Sequence, residues 1–215
     1  MRQENVTTEA HKENYPIPDL AGERFAYHRM VLDILAALFE QAMHVNSKTF
    51  FVRLGFSFPE CAPCQMGNIE FSCFMDRLMA RISARWLQLS DTYLWVQDLD
   101  ESPRCHYHCV LLLNGNKTQS INRVATLAYE LLDNVLGIPG GYGWLVSRRI
   151  VGVDGRQNDN GIMLMRDDPE LRAKLGKCFA SVAYMARVVG DGGLPPHMMP
   201  FGHSPFRPLE VGEDY

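Results

Sequence analysis

Apolar residues recur at helical spacing over residues 22–44, where Tyr27, Val31, Ile34, Leu38 and Ala42 share one face and Leu35 and Phe39 widen it. The spacing predicts an amphipathic helix there. The next segment, 49–58, is dense in β-branched and aromatic residues and stops at Pro59, the signature of a strand, and 59–68 reads as a loop. A second helix is predicted over 69–88, with Phe71, Phe74, Met75, Leu78, Ile82 and Trp86 inward and Arg77, Arg81 and Arg85 recurring every fourth position as a basic stripe. Strands at 92–99 and 105–114, joined by a short polar link, predict an antiparallel hairpin. A third helix is expected at 119–136 with Gly137 closing it, and the glycine-rich stretch 137–143 reads as a loop. Strands at 144–153 and 161–165 flank a turn-rich segment. The last helix is expected to open at Asp168 and Pro169 and run to 188.

Helices alternating with antiparallel strands around one sheet predict an α+β sandwich of ferredoxin-like character. The polar first 20 residues, with Pro16 and Pro18, read as an N-terminal arm with little structure of its own; 21–206 read as one domain and 207–215 as a C-terminal tail. A chain of 215 residues suits one domain with a sizeable core. Composition changes this picture little: 47% hydrophobic and 21% charged residues are ordinary for a globular chain. No apolar run approaches the ~18 residues of a membrane span. The polar N-terminus is unlike a secretory signal, so the expected location is the cytoplasm. The six cysteines then read as free thiols or metal ligands. Cys61 and Cys64 have the spacing of half a zinc site, but no second such pair exists, and free loop cysteines account for them more simply. A formal net charge of -4 requires any nucleic-acid contact to draw on locally concentrated Lys and Arg.

The sharpest local signal is Cys105-His106-Tyr107-His108-Cys109. Side chains alternate along a strand, so His106 and His108 share one face while Tyr107 and the cysteines take the other. Two neighbouring imidazoles can hold a divalent metal with a third ligand from an adjacent element. Asp98, ending the preceding strand, is the best candidate, with Asp100 and Glu101 just beyond. Two histidines and a carboxylate leave open positions, as Lewis-acid catalysis requires. The same pattern also fits the polar face of an ordinary strand.

The stretch from Trp95 to Asn114 resembles the central motif of the HUH endonucleases, and more closely the YagK/YfjJ (inovirus Gp2-like) replication protein family. That family reads Trp-Val-x-Glu, then His-Tyr-His, then leucines closing with Asn. Here Trp95-Val96-Gln97-Asp98, His106-Tyr107-His108 and Leu111-Leu112-Leu113-Asn114 fill the pattern. The family's closing Ser-Tyr-Leu-Ala-Lys and Phe-Gly-x-Ser elements resemble Val182-Ala183-Tyr184-Met185-Ala186-Arg187 and Phe201-Gly202-His203-Ser204, and Phe51-Val52-Arg53-Leu54 before Pro59 resembles its first motif. The resemblance implies an HUH/RRM-like, five-stranded antiparallel sheet with the histidines on a central strand. It also implies a rolling-circle initiator-like nickase of a phage or other mobile element in a bacterial host. Such an enzyme would cleave and rejoin single-stranded DNA, at an origin or hairpin, through a 5′-phosphotyrosine intermediate with Mg2+ or Mn2+. A chain of this size would borrow a host helicase. Two positions depart from the family: Asp98 stands for Glu, and Arg187 for Lys.

Under that resemblance Tyr184 is the nucleophile and Arg187 its catalytic companion. At ~100° per residue, Leu171, Leu175, Cys178, Phe179, Val182, Met185 and Ala186 occupy one arc of the last helix, with Tyr184 nearly opposite among Lys174, Lys177, Ser181 and Arg187. Tyr107, Tyr129 and Tyr142 are the alternatives, Tyr107 pointing away from the histidine face. The DNA strand is expected along Arg53, the stripe of Arg77, Arg81 and Arg85, and Arg148, Arg149, Lys174 and Lys177; for the stripe, a solvated helix face is an equal reading. Two other functions fit the same residues. One is a catalytically weakened HUH-fold regulator that only binds nucleic acid, which the departure at Arg187 and the acidic charge favour. The other is a phosphoesterase working through metal-bound water, independent of Tyr184.

Overall fold

The computed structural model describes residues 6–7, 11–12, 15–16, 27–57, 68–86, 92–98, 106–136, 149–151, 157–187 and 201–206. In chain order the main elements are α1 (Arg29–Val45), β1 (Lys48–Ser57), α2 (Ile69–Trp86), β2 (Thr92–Asp98), β3 (His106–Asn114), α3 (Ile121–Leu136), β4 (Ile162–Met165), α4 (Leu171–Ala183) and β5 (Phe201–His203). The strands form one five-stranded sheet in the order β4-β1-β3-β2-β5, and every neighbouring pair is antiparallel. From β1 to β4 this is the βαββαβ ferredoxin-like arrangement, with β5 added beside β2. β3, which carries the two histidines, is the central strand.

Alternation along the strands splits the core into two layers. Phe50, Val52, Leu54 and Phe56 of β1 and Tyr107, Cys109, Leu111 and Leu113 of β3 pack beneath α2 and α3. Phe51, Leu94, Val110, Leu112, Leu164 and Phe201 pack on the other face with α1 and α4. The amphipathic periodicity of each helix meets one of these faces, which is why most of the predicted apolar positions are buried, with Ile34, Trp86, Leu171 and Leu175 half-buried at the margins.

Four expectations need correction. The first helix begins at Arg29, not residue 22; Tyr27 lies before it, in a two-residue strand (Tyr27–His28) paired with Val6–Thr7. The expected arm is partly built in: His11–Lys12 pairs with Tyr15–Pro16, and the Tyr15 ring stacks 4.5 Å from that of Phe179 on α4. An aromatic core contact outweighs the local polarity that suggested a loose segment. Arg149–Val151, the described part of the predicted strand 144–153, is a strand and pairs with Gln157–Asp159 outside the five-stranded sheet. The fifth strand is instead Phe201–His203, from a stretch that read as irregular. Its middle residue has to be glycine: a Cβ on Gly202 would lie 2.7 Å from the Trp95 indole opposite. Finally, α4 starts two residues beyond Pro169 and stops at Ala183, where Tyr184–Ala186 tightens into a 3-10 turn. Asp168 accepts the Glu170 N–H and pairs with Lys174 at 2.6 Å, serving the turn before the helix.

Among the described residues no helix is long and apolar enough to cross a membrane. Gly137, the loop 137–143, Tyr142, Arg148, Cys61, Cys64, Cys105, Asp100 and Glu101 lie outside the described residues, as does the 207–215 tail.

Candidate active site at the polar end of the sheet

One face of β1 and β3 changes character along its length. Phe51, Val110 and Leu112 lie under α1 and α4. Past them the chain presents Arg53 and Gly55 on β1 and His108 and His106 on β3, with Gly55 opposite His108 and Ser57 opposite His106. On the other side of β3, Val96 pairs with His108 and Asp98 with His106. The apolar run therefore ends where the polar groups begin, leaving a half-exposed corner of the sheet at the end of α4.

Tyr184 reaches this corner because α4 ends one residue earlier. The tighter 3-10 turn brings its half-buried ring against the margin of the core, 5.2 Å from the His108 ring and edge-on to it at 76°. Arg53 fixes the other side. One guanidinium nitrogen donates to the Tyr184 hydroxyl at 2.5 Å, and the other donates to the Ser181 carbonyl at 3.0 Å. The guanidinium carbon lies 4.4 Å from the centre of the tyrosine ring. The Ser181 carbonyl belongs to the last turn of α4, whose carbonyls lack partners within the helix, so a cation there also complements the helix dipole. Ser181's own hydroxyl donates to the Cys178 carbonyl and leaves this acceptor to Arg53.

Arg53 is itself anchored through its main chain. The Asn160 side chain accepts the Arg53 N–H at 2.8 Å and donates to the Arg53 carbonyl. Since Ile162 pairs with Phe51, residue 160 falls opposite Arg53 in the same register. The asparagine amide thus replaces the backbone ladder two residues before β4. Gly161, at φ 85°, makes the bend that permits it, and its N–H also goes to the Asn160 oxygen. Sequence reasoning missed Asn160, and placed Ser181 on the polar side of the helix beside Tyr184 without its carbonyl's part in holding Arg53. Asn160 sits in a turn-rich stretch and meets Arg53 across 107 residues, a pairing no local pattern encodes.

His106 and His108 are both half-exposed and alternate with buried Tyr107 and Cys109, as strand geometry predicts. Tyr107 is unsuited to attack any substrate: it stacks on Phe71 at 3.9 Å, donates to Asn68 and lies beneath α2, where burial and the nearby Glu70 raise its pKa. Tyr129 is on α3, in the layer across the sheet from the histidines. Two imidazoles at alternate positions of one strand, with a carboxylate residue paired opposite by register, are a donor set that suits a divalent metal. Among the described side chains no three His, Cys, Asp or Glu residues gather as ligands, and only the backbone of Asp98 is described.

The other predicted residues are dispersed. Arg187 follows the 3-10 turn, donates its N–H to the Tyr184 carbonyl and bridges to Tyr27. Lys174 is engaged by Asp168 and Glu170 at the start of α4, while Lys177 is exposed. Arg77, Arg81 and Arg85 are exposed on α2, which packs on the sheet face opposite His108 and Tyr184. For Arg149 only the backbone is described. The cation beside Tyr184 therefore comes from β1 rather than from the polar side of α4, correcting the helical-wheel expectation.

Comparison with known proteins finds no matching family model, no matching curated protein and no matching solved structure.

Proposed function

We propose that this chain is a tyrosine-dependent DNA nicking-and-joining enzyme of the HUH type, acting on single-stranded DNA in a replication-initiator-like role. The observation that carries the reading is the convergence of Tyr184, Arg53 and His108 at the polar end of the sheet, from three elements distant in sequence. A phenol at the rim of a core, held by a guanidinium and facing a His-x-His strand, is an arrangement packing alone does not require.

In this reading the Tyr184 oxygen attacks a backbone phosphorus. The tyrosyl O–P bond forms, the P–O3′ bond breaks, the phenol gives up its proton and the departing 3′-oxygen gains one. Diester replaces diester, so the reverse attack by a 3′-hydroxyl rejoins the strand. Arg53 serves negative charge, both on the phenol oxygen and on a phosphate arriving beside it. His106 and His108, with Asp98, would hold a divalent ion such as Mg2+ or Mn2+, which supplies polarisation of the scissile phosphate. Gly55, opposite His108, carries no side chain to fill the space above the strand.

Manganese titration by calorimetry tests the metal half of the reading. Wild type is expected to bind one ion, and His106→Ala and His108→Ala each to weaken it at least tenfold; undiminished binding in both variants overturns the assignment. The replacement of the family's lysine by Arg187 favours a second reading, a nucleic-acid-binding regulator on the same fold. It predicts DNA binding with no covalent product.

A further inference from the structure

The arginines of α2 lie across the sheet from Tyr184 and are no part of its site. The apolar side of that helix is consumed by the core, with Phe71, Phe74, Met75, Leu78 and Ile82 buried. Arg77, Arg81 and Arg85 are left exposed, one turn apart, on the far side of the sheet from Arg53 and His108. No hydrogen bond or ion pair among the described residues engages them. Asp76, the acid beside them, hydrogen-bonds Tyr93 and adds to the rise in that phenol's pKa, so its charge is directed at β2. In a chain of net charge -4, this is a concentrated cationic track that no contact among the described residues engages.

We propose that this face of α2 docks the phosphate backbone of a double-helical DNA segment flanking the single strand held at Tyr184. The proposal rests on the nucleic-acid part of the functional reading, not on cleavage. At 1.5 Å per residue the three arginines span ~12 Å, a length over which duplex DNA offers about seven phosphates. Guanidinium forks suit phosphate oxygens. Beside them the exposed positions are Cys73, Asp76, Ala80 and Ala84, none aromatic. Single-strand binding draws on stacking platforms, and no exposed aromatic ring lies on this face among the described residues. Nor has it the apolar centre of a protein interface; Ile69, at the start of the helix, is its one large exposed hydrophobe. A duplex backbone, which needs charge and no pocket, is the occupant that fits.

The test is fluorescence anisotropy of the full chain with two labelled probes of arbitrary sequence: a 20-base-pair duplex bearing a 10-nucleotide single-stranded tail, and the tail alone. The variant is Arg77→Gln/Arg81→Gln/Arg85→Gln, checked for an unchanged melting temperature, with Lys117→Gln/Arg123→Gln/Arg172→Gln as a matched change of net charge. For the tailed duplex the α2 variant should bind at least tenfold more weakly near 0.1 M salt. Its log–log salt slope should be shallower by about 2.7, the value for three phosphate contacts at 0.9 each. Binding of the tail alone should change less than twofold, and the matched control should leave both probes unaffected. Equal slopes for wild type and variant overturn the proposal, as does equal loss on both probes, an equal effect of the control, or a wild type that binds neither. Retained DNA binding with loss of a pulled-down acidic protein would reassign the face to a protein partner. Because binding is read without cleavage, an inactive chain can still satisfy this test, and an active one can fail it.

Discussion

Replacing Arg53 by Met keeps the aliphatic stem and removes both guanidinium contacts, which tests whether this residue ties α4 to the sheet. Two hydrogen bonds to a charged donor are lost, to the Ser181 carbonyl at 3.0 Å and the Tyr184 hydroxyl at 2.5 Å. Such bonds contribute ~1.5–3 kcal/mol each when buried, and the contact with the tyrosine ring adds ~0.5–1 kcal/mol. Both acceptors are half-buried, so water recovers part of the loss, and the expected net cost is about 2 kcal/mol. For a chain of this length that lowers Tm by about 4–8 °C. Urea unfolding and thermal melts would be compared with Arg77→Met, which removes an exposed arginine that no described residue engages and should cost less than ~0.5 kcal/mol. Arg53→Lys should fall between, since one ammonium cannot span both acceptors as the fork does. Equal stability of Arg53→Met and Arg77→Met would refute the clamp, and with it the basis for placing a cation at the Tyr184 oxygen.

Gly202→Ala forces a methyl against the Trp95 ring, whose atoms lie 2.7–2.8 Å from where the Cβ would be, and should cost ~1–3 kcal/mol in urea unfolding; a neutral or stabilising result would contradict the pairing of β5 with β2. Peptide-resolved alkylation should label Cys73 quickly, because it is exposed, and spare Cys109 and Cys178 in the native state. Burial raises the thiol pKa of Cys109 well above its ordinary value and that of Cys178 to about 12; rapid labelling of either buried thiol would contradict the two-layer core. Burial lowers the His28 pKa from 6.5, so the folded state favours the neutral ring. Its contribution is therefore intact above pH 6.5 and lost as pH falls from there through the folded-state value. Wild type should lose more stability than His28→Gln between pH 7.5 and 5, and parallel pH profiles would exclude the effect.

The layers of this fold are legible in the sequence because they depend on period. The 3.6-residue stripes of the helices and the two-residue alternation around His106-Tyr107-His108 each choose a face, and the sheet has only two faces to offer. Period also placed Tyr107 away from the histidines. It misplaced Tyr184, because an ideal helix extended through residue 188 puts that ring on the solvent side, whereas the chain leaves α-geometry at Ala183. The edge strand at Phe201–His203 was illegible for a different reason. Three residues around a glycine carry no alternation to detect, and the demand for glycine comes from Trp95, over 100 residues away. The Asn160 clamp on Arg53 is likewise tertiary. The candidate site was thus legible in its histidines, its tyrosine and Arg53 as separate signals, while their convergence came only with the fold.

The most direct measurement is covalent capture. The full chain would be incubated with a random-sequence single-stranded DNA library and Mn2+ or Mg2+, denatured, and the DNA-linked protein digested and mapped by mass spectrometry. The account predicts a metal-dependent phosphotyrosine adduct at Tyr184 that is absent from Tyr184→Phe. An adduct on another residue, or cleavage that survives in Tyr184→Phe without any adduct, would contradict it and point to hydrolysis by water; DNA bound with no covalent product would leave the regulator reading in its place.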